Sequence, residues 1–302
     1  MQHLSWLAAI APLAFVCWPA IADKVDDDKQ KEVLINRPDS NLETIQAFTT
    51  ANRYRKAGGG VGRLVTTFSN GAVGYCTATL VSPDLVITAS HCLKDPDDDT
   101  AAIISIILYL DDVDPASARG TPYQVQIAPL EAQKKLDYAI LRVPNKPGLQ
   151  AQFKPISLES RPLTAHEELF LIHHPQAQAQ HLTRRACRVR GPFDNDTVLH
   201  TCDTQEGSSG AALMSDNETR PKIIAIHTGF KRLGAQEKIN IATTIQSIAA
   251  ASCIVQKLLI AGDPDVCQQV RPPSADDGIV SPPITARSGA KINITSGDDR
   301  DK

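Results

Sequence analysis

The chain of 302 residues carries 31 Lys and Arg against 34 Asp and Glu, which gives a formal net charge of −3. This balance lacks the basic excess that marks nucleic-acid-binding domains, so we expect no nucleic-acid partner. Hydrophobic residues make up 42% of the chain, enough for a real core. The length fits one large all-β domain or two smaller ones. Composition alone is compatible with any secreted globular protein.

The N-terminus is typical of an export signal. Leu4 to Ala22 contains no charged residue, and Ala20-Ile21-Ala22 fits the small-x-small rule for a cleavage before Asp23. A membrane anchor is the alternative, but Pro12, Pro19 and the charges from Asp23 onward disfavour it. We therefore predict a signal peptide at residues 1–22 and a secreted or periplasmic protein with no membrane contact after its removal.

Residues 23–56 are charged and poor in aromatic side chains, which predicts a propeptide or a flexible arm. The run Ala57-Gly58-Gly59-Gly60 is predicted as a hinge. Cleavage near Arg53, Arg55 or Lys56 would make the chain a zymogen by removing a blocking arm. Residues 263–302 are rich in Pro, Ser, Gly and Asp, and we predict that they are disordered.

Between these ends, short β-rich runs separated by turn residues form two sets. The first set is Val61–Phe68, Gly74–Val81, Leu85–Thr88, Ile103–Leu110, Tyr123–Ile127 and Tyr138–Val143. The second set is Leu169–Ile172, Thr183–Val189, Thr197–Cys202, Ala211–Met214, Ile223–His227 and Ile239–Thr243. Apolar residues from Ile245 to Leu258 follow a helical period and predict a terminal helix.

Three segments bring residues suited to nucleophilic catalysis: Thr88-Ala89-Ser90-His91-Cys92, Asp137-Tyr138-Ala139-Ile140-Leu141 and Gly207-Ser208-Ser209-Gly210. A serine hydroxyl is a poor nucleophile until an adjacent imidazole accepts its proton. The imidazole in turn needs a carboxylate that fixes its tautomer and stabilises its charged form. Glycines around a serine allow a sharp turn that directs backbone N–H groups outward.

These three motifs, in this order, resemble those of the chymotrypsin/trypsin-like serine peptidases, and within them the bacterial branch that includes the glutamyl endopeptidases. Ile172-His173-His174-Pro175-Gln176 and Ile226-His227-Thr228-Gly229 also resemble segments of that branch. The resemblance covers roughly residues 57–262. It implies an all-β fold of two packed six-stranded antiparallel β-barrels with a C-terminal α-helix. The barrels would span residues 57–148 and 149–262, the second with the helix.

The resemblance also implies the chemistry. Ser209 would attack the scissile carbonyl, His91 would take and return the proton, and Asp137 would orient His91. The backbone N–H groups of Gly207 and Ser209 would form the oxyanion hole. The expected activity is a secreted serine endopeptidase that acts on protein or peptide substrates through an acyl-enzyme intermediate, as a monomer and without a cofactor.

Cysteine usage favours an oxidising compartment. Loss of the signal removes Cys17 and leaves six cysteines: Cys76, Cys92, Cys187, Cys202, Cys253 and Cys267. The residues alone leave all 15 pairings open. The family resemblance implies that Cys76 pairs with Cys92, Cys187 with Cys202 and Cys253 with Cys267. A zinc site is the competing interpretation, but the chain has no C-x-x-C pair.

Two further features could bind metal. The acidic run Asp95-Pro96-Asp97-Asp98-Asp99 could hold Ca²⁺, although such loops are commonly only solvated. His173 and His174 are adjacent on a strand and should point to opposite faces, so we predict a structural role for both. We therefore expect no metal site.

Specificity has two competing predictions. Asp203 lies six residues before Ser209, where trypsin-like enzymes place the carboxylate that binds Arg or Lys. Thr204 and His227 resemble positions with which glutamyl endopeptidases hold an acidic side chain. A carboxylate in the pocket would repel an acidic side chain, so both predictions cannot hold. We favour cleavage after acidic residues, with trypsin-like cleavage through Asp203 as the alternative.

Two further alternatives concern regulation and class. Vertebrate relatives have Asp just before the nucleophile, and it pairs with the new N-terminal amine after activation. Ser208 occupies that position here, so that ion-pair switch is not expected. A catalytically silent secreted binding protein of the same fold is the rival from another class. Such proteins usually lack a triad residue, and this sequence lacks none.

Overall fold

The computed structural model describes residues 41–116, 120–144, 152–217, 219–233 and 237–260. Its strands form two antiparallel sheets. The first described strand, β1 (Glu43–Thr44), belongs to the second sheet. The first sheet contains β2 (Val61–Phe68), β3 (Val73–Leu80), β4 (Leu85–Thr88), β5 (Ile103–Leu110), β6 (Thr121–Gln124), β7 (Glu131–Gln133) and β8 (Tyr138–Arg142). Its strand order is β6-β5-β2-β3-β4-β8-β7.

The second sheet is formed by the remainder of the described chain. Its other strands are β9 (Leu169–His173), β10 (His181–Thr183), β11 (Val189–Pro192), β12 (Thr197–His200), β13 (Ala212–Ser215), β14 (Ile223–Leu233) and β15 (Glu237–Thr244). The strand order is β1-β10-β9-β13-β14-β15-β12-β11. The predicted all-β, chymotrypsin-like fold with a C-terminal helix is confirmed.

Strand positions followed the sequence closely where β-branched and apolar residues dominate. Val61–Phe68, Leu85–Thr88 and Ile103–Leu110 have the predicted bounds. The predicted run Thr183–Val189 was wrong, because the chain leaves one strand at Thr183 and starts the next at Val189. Ala186, between them, has φ of 52°, a left-handed conformation that no strand accommodates.

Apolar side chains of both sheets meet in one buried cluster. Ile87 and Ile140 from the first sheet join Phe170 and Ile226 from the second, and none of the four is exposed to solvent. Each sheet also encloses a cluster of its own. The shared cluster fixes the two sheets relative to each other, so loops from both meet at defined positions.

Part of the predicted flexible arm is packed against the second sheet. Strand β1 pairs with β10, and Ile45, in a short 3₁₀ turn after β1, is fully buried. The helix α1 (Arg53–Gly58) follows; Asn52 caps it by accepting a hydrogen bond from the Tyr54 N–H at 2.9 Å. The expected flexibility of residues 41–56 was therefore wrong: their apolar side chains complete the core.

The same packing bears on the predicted hinge and cleavage points. Arg53 donates to the Oδ1 atom of Asp216 at 2.6 Å, and Ala57 is buried. Residues 57 and 58 lie in α1, and Gly59 and Gly60 follow it without a flexible break, since Gly60 N–H donates to Ala57 at 3.0 Å. A protease would have to unfold α1 to cut beside Arg53, Arg55 or Lys56.

The predicted terminal helix is divided in two. The helices α2 (Ile245–Ala251) and α3 (Cys253–Leu259) meet at Ser252, whose hydroxyl caps α3 by accepting from the Val255 N–H at 3.1 Å. None of the described helices is long and apolar enough to cross a membrane. The predicted signal peptide (1–22), residues 23–40 and the predicted disordered tail (263–302) lie outside the described residues.

Candidate active site

Strand pairing in the first sheet brings His91 and Asp137 together. Strand β4 ends at Thr88, three residues before His91, and β8 begins at Tyr138, directly after Asp137. These strands are antiparallel neighbours in which Thr88 pairs with Ala139. The end of one therefore lies beside the start of the other. His91 then reaches Asp137 because the chain turns through a short 3₁₀ helix, Ser90–Leu93.

The three predicted residues form one hydrogen-bonded line. His91 Nδ1 lies 2.7 Å from Asp137 Oδ2, and His91 Nε2 lies 2.7 Å from Ser209 Oγ. An ionised carboxylate can only accept, so Nδ1 carries the proton and donates it to Asp137. In the neutral ring Nε2 is then the acceptor for the Ser209 hydroxyl. This is the tautomer that a general base for Ser209 requires.

Asp137 accepts two more hydrogen bonds through its other oxygen. Oδ1 receives the Ser90 hydroxyl at 2.8 Å and the His91 backbone N–H at 2.9 Å. Burial raises the pKa of Asp137, but the bonds from His91 and Ser90 outweigh burial and hold the pKa below its ordinary value. Its backbone adopts a left-handed φ of 49°, which is uncommon outside glycine. The carboxylate thus stays ionised and fixed in orientation.

Ser209 lies in the loop Gln205–Gly210, which we call the nucleophile loop and which leads into β13 of the second sheet. The loop is held by the first sheet through Thr77 on β3. The Thr77 hydroxyl donates to the Gly207 carbonyl oxygen at 2.8 Å, and the Thr77 N–H donates to the Ser209 carbonyl oxygen at 2.9 Å. Ser209 is only 3% exposed, so its position is set by packing on both sides.

The carbonyl sides of the two peptide groups that carry the Gly207 and Ser209 N–H groups are both hydrogen-bonded to other backbone groups. The Glu206 carbonyl accepts from the Gln176 N–H, and the Ser208 carbonyl accepts from the Ala211 N–H. In a trans peptide the C=O and N–H point in opposite directions. The Gly207 and Ser209 N–H groups therefore point away from Gln176 and Ala211 respectively. Gly207 adopts φ of 93°, and a Cβ there would overlap the His174 carbonyl oxygen, which requires glycine.

A cleft of about 190 Å³ adjoins His91 and Ser209. It is lined by Phe68, Tyr75 and the Cys76–Cys92 pair, and by the charged residues Lys94, Asp95, Asp97 and Glu206. The cleft is open space beside the candidate nucleophile. It combines apolar side chains with several polar and charged ones.

The predicted specificity residues are all buried, but they differ in their contacts. The Asp203 carboxylate accepts a hydrogen bond from the Asn41 N–H at 3.1 Å, which directs Oδ2 toward the N-terminal segment. His227 Nδ1 lies 3.0 Å from His200 Nε2, and the two rings are packed edge to face. Thr204 Oγ1 is buried and has no hydrogen-bond partner among the described residues.

Burial keeps His200 and His227 neutral. It lowers the pKa of His200 to about 3. It also lowers the pKa of His227 well below its ordinary value, and the neighbouring His200 lowers it further. One ring of the pair must donate and the other accept, which fixes their orientation relative to each other.

Two of the predicted disulfides are present. Cys76 bonds to Cys92 and Cys187 bonds to Cys202. Cys267 lies outside the described residues, so its pairing with Cys253 stays a prediction. Cys76, Cys92 and His91 place three potential metal-ligand atoms within 4.8 Å of one another. The two sulfurs are bonded to each other and so are not the thiolates that a metal would need.

Sequence reasoning gave no place in the site to four residues that the structure brings there, one of which, His173, it had predicted to be structural. Thr77 holds the nucleophile loop, Ser90 hydrogen-bonds Asp137, His200 contacts His227, and His173 contacts Ser208. Only Ser90 and His173 lie in segments that the family resemblance singled out. Thr77 and His200 are single polar residues in strands, and nothing local distinguishes them from other strand residues.

Comparison with known proteins agrees with this geometry. A family model of the trypsin-like peptidase domain matches residues 76–225. No curated protein is significantly similar to the chain in sequence. A Glu endopeptidase in complex with MPD superposes with a TM-score of 0.53 and 16% identity, over 70% of this chain and 93% of that one. The HtrA-type protease AlgW with a tripeptide superposes with a TM-score of 0.51 and 19% identity, over 72% of this chain and 65% of that one.

A third structure, the active form of the Rv3671c protease from M. tuberculosis, superposes with a TM-score of 0.50 and 18% identity, over 65% of this chain and 80% of that one. At these identities the likeness concerns the fold, whereas the family model rests on sequence. The domain match covers His91, Asp137 and Ser209, the residues that meet in the structure. Residues 76–225 therefore form a trypsin-like peptidase domain, and the chain is a serine endopeptidase.

Proposed function

We propose that Ser209 is the nucleophile, His91 the general acid and base, and Asp137 the residue that orients His91. The continuous hydrogen-bonded line through the three side chains carries this proposal. Ser209 Oγ attacks the scissile carbonyl while its proton moves to His91 Nε2. His91 then gives that proton to the leaving amine, and water hydrolyses the acyl-enzyme in the same way. Asp137 remains ionised throughout and stabilises the charged imidazole.

The Gly207 and Ser209 N–H groups supply the oxyanion hole in this proposal. Their orientation is supported by the Glu206 and Ser208 carbonyls, which are engaged on the opposite side. Donors fixed before reaction stabilise the developing negative charge without reorganisation. Each such donor contributes on the order of 10²–10³ in turnover.

The test of the nucleophile is Ser209→Ala, compared with wild type by fluorophosphonate labelling and by hydrolysis of a mixed peptide library. We expect loss of labelling and of essentially all hydrolysis, with unchanged thermal unfolding, because removal of a loop hydroxyl opens no core cavity. Ser252→Ala removes a buried hydroxyl elsewhere and should label like wild type. If Ser209→Ala kept a tenth of the wild-type activity, another nucleophile such as Ser208 would have to be responsible. Intact wild type that neither labels nor hydrolyses would favour the silent binding protein.

For specificity, we propose cleavage after acidic side chains. Thr204 offers a buried hydroxyl, and His227 is an imidazole held in place by His200. Both groups can donate hydrogen bonds to a carboxylate. The rival, trypsin-like prediction needs the Asp203 carboxylate in the pocket. Its contact with the Asn41 N–H supports instead a role in holding the N-terminal segment.

Two variants separate these specificities. His227→Ala should lower kcat/KM far more for a peptide with Glu before the cleaved bond than for the matched Gln peptide. Asp203→Asn keeps an oxygen that can accept the Asn41 N–H and should leave cleavage after Glu unchanged or slightly faster. A library cut only after Arg and Lys, with cleavage abolished by Asp203→Asn, would establish the trypsin-like alternative.

We further propose that the mature enzyme is a monomer that acts outside the cytoplasm, secreted or periplasmic. The two disulfides support an oxidising compartment, and the sequence of residues 1–22 supports export. Sequencing the N-terminus of the protein recovered from a secreting host tests the expected cleavage before Asp23. Retention of the full N-terminus in a membrane fraction would contradict it.

A further inference from the structure

A chain of buried hydrogen bonds runs from the nucleophile loop into the second sheet, beside the groups assigned to catalysis. Ser208 Oγ lies 2.6 Å from His173 Nδ1, and His173 Nε2 lies 3.1 Å from Thr183 Oγ1. Thr183 Oγ1 donates to the Asp203 carbonyl oxygen at 3.0 Å. Ser208, His173 and Thr183 are fully buried.

The donor and acceptor in each of these hydrogen bonds follow from the last bond of the series, between Thr183 and the Asp203 carbonyl. A carbonyl oxygen only accepts, so Thr183 donates its single hydroxyl proton to the Asp203 carbonyl. The Thr183 oxygen must therefore accept a hydrogen bond from His173 Nε2–H. His173 is neutral, since burial lowers its pKa well below the ordinary value. Its Nδ1 therefore has no proton and accepts the Ser208 hydroxyl. Ser208 Oγ in turn accepts the Gln205 N–H at 3.1 Å.

Ser208 sits between the two proposed oxyanion donors. Its N–H donates to Gln205 at 2.9 Å, and its carbonyl accepts from Ala211 at 2.9 Å. Thr77 holds the Gly207 carbonyl from the side of the first sheet. His173 holds the Ser208 side chain from the side of the second sheet. Rotation of the peptide between Ser208 and Ser209 would turn the Ser209 N–H group, and displacement of Ser208 would also move the adjoining Gly207, so holding the Ser208 side chain steadies this part of the loop.

We propose that Ser208, His173 and Thr183 are positioning residues that hold the nucleophile loop in its reactive conformation through neutral hydrogen bonds. The inference rests on the proposed function and deepens it. The Ser208 side chain is held by the neutral imidazole of His173, which is held in turn by the Thr183 hydroxyl, and both of these residues lie on strands of the second sheet. The loop is therefore set by folding alone, and no charge needs to be created by cleavage of the chain.

Ser208→Ala tests the anchor, because it removes the hydroxyl that His173 accepts. We expect kcat and the rate of fluorophosphonate labelling to fall at least tenfold, while KM changes by less than threefold. Ser252→Ala is the matched control. The Ser252 hydroxyl is also buried, donates to Glu131 at 2.8 Å and accepts a backbone N–H at 3.1 Å. It should lose thermal stability without loss of kcat.

Thr183 provides a second test at the far end of the chain of hydrogen bonds. Thr183→Val keeps the shape but removes the acceptor for His173 Nε2–H, so it should lower kcat like Ser208→Ala. Thr183→Ser retains the hydroxyl and should restore kcat. The double variant Ser208→Ala/Thr183→Val should be no slower than the slower single variant, because both substitutions interrupt the same series of hydrogen bonds.

Three results would overturn the proposal: Ser208→Ala with kcat within twofold of wild type, Thr183→Ser as slow as Thr183→Val, or single effects that multiply in the double variant. The failure of the underlying function is distinct from these. Ser209→Ala that remained active would refute the triad and the positioning role together. Inactive Ser209→Ala with fully active Ser208→Ala would refute the positioning role alone.

Discussion

The hydroxyl of Thr77 donates a hydrogen bond to the carbonyl oxygen of Gly207 at 2.8 Å, although 130 residues separate them in the chain. This bond joins the sheet that carries His91 and Asp137 to the loop that carries Ser209. The same hydroxyl oxygen accepts the His174 N–H at 3.0 Å. One side chain therefore couples the two halves of the site.

Thr77→Val should slow catalysis although it conserves the shape of the side chain. The variant leaves the Gly207 carbonyl and the His174 N–H without their shared partner, and a buried unpaired polar group costs about 1–3 kcal/mol. We expect lower thermal stability and a kcat at least tenfold lower in peptide hydrolysis. Thr77→Ser keeps the hydroxyl and should stay within about threefold of wild type. Equal kcat values for the two variants would show that the bond does not position Gly207.

Asp137→Asn should nearly abolish turnover while the fold is kept. An amide N–H facing His91 Nδ1 favours the tautomer with the proton on Nε2, which cannot accept the Ser209 proton. The expected loss is on the order of 10⁴-fold in kcat, the figure known for this substitution in the related triad. Single-turnover hydrolysis measures it. A loss below tenfold would show that Asp137 does not select the tautomer of His91.

Acid should remove the stabilisation that Asp137 provides. Its pKa in the folded chain is lower than its ordinary value of 3.8, so the folded state favours the ionised carboxylate more than the unfolded state does. The contribution is fully present above that ordinary value and disappears as the pH falls through the folded-state pKa. The free energy of unfolding of wild type should therefore exceed that of Asp137→Asn near neutral pH, and the gap should narrow below about pH 4. A gap that is constant with pH would contradict this.

Gly210→Ala should inactivate and destabilise the enzyme. Gly210 has φ of 83°, and a Cβ there would overlap Thr88 Oγ1 and the Thr77 carbonyl oxygen. Gly71 has a similar φ of 89° with open space around it, so Gly71→Ala isolates the backbone strain. We expect about 1–2 kcal/mol of destabilisation for Gly71→Ala and clearly more for Gly210→Ala by denaturant unfolding. Equal losses would mean that the loop moves freely away from Thr77 and Thr88.

The two described disulfides offer a comparison at nearly constant loop length. Cys76–Cys92 and Cys187–Cys202 join residues 16 and 15 positions apart. Replacing either pair with Ala should therefore cost about 3 kcal/mol of unfolding free energy. The Cys76–Cys92 bridge adjoins His91, so its removal should also lower kcat. Peptide mapping without reduction should recover both linked pairs; Cys76 linked to Cys202 would contradict the fold.

The local sequence determined much of the fold because its elements are strongly patterned. Val61–Phe68, Leu85–Thr88 and Ile103–Leu110 are dense in β-branched and apolar residues, and they became strands with the predicted bounds. The three motifs predicted His91, Asp137 and Ser209 as the reactive residues because each residue stands at a strand end or in a glycine turn. Residues 41–56 were misjudged because their charged composition masks Ile45 and Tyr54, which are buried only against the second sheet.

What only the tertiary structure decided are the contacts between distant segments. Thr77 and His200 look like ordinary strand residues, and their roles emerge only when β3 lies against the nucleophile loop and the His200 ring reaches His227. His173 lies in a segment that the sequence singled out, but its contact with Ser208 depends on where the nucleophile loop packs. The orientation of Asp203 toward Asn41 also depends on where the N-terminal segment packs. A motif specifies which atoms can react, because reactivity follows from residue type. Packing specifies how those atoms are held, because the hydrogen bonds that orient them come from segments that sequence spacing does not relate.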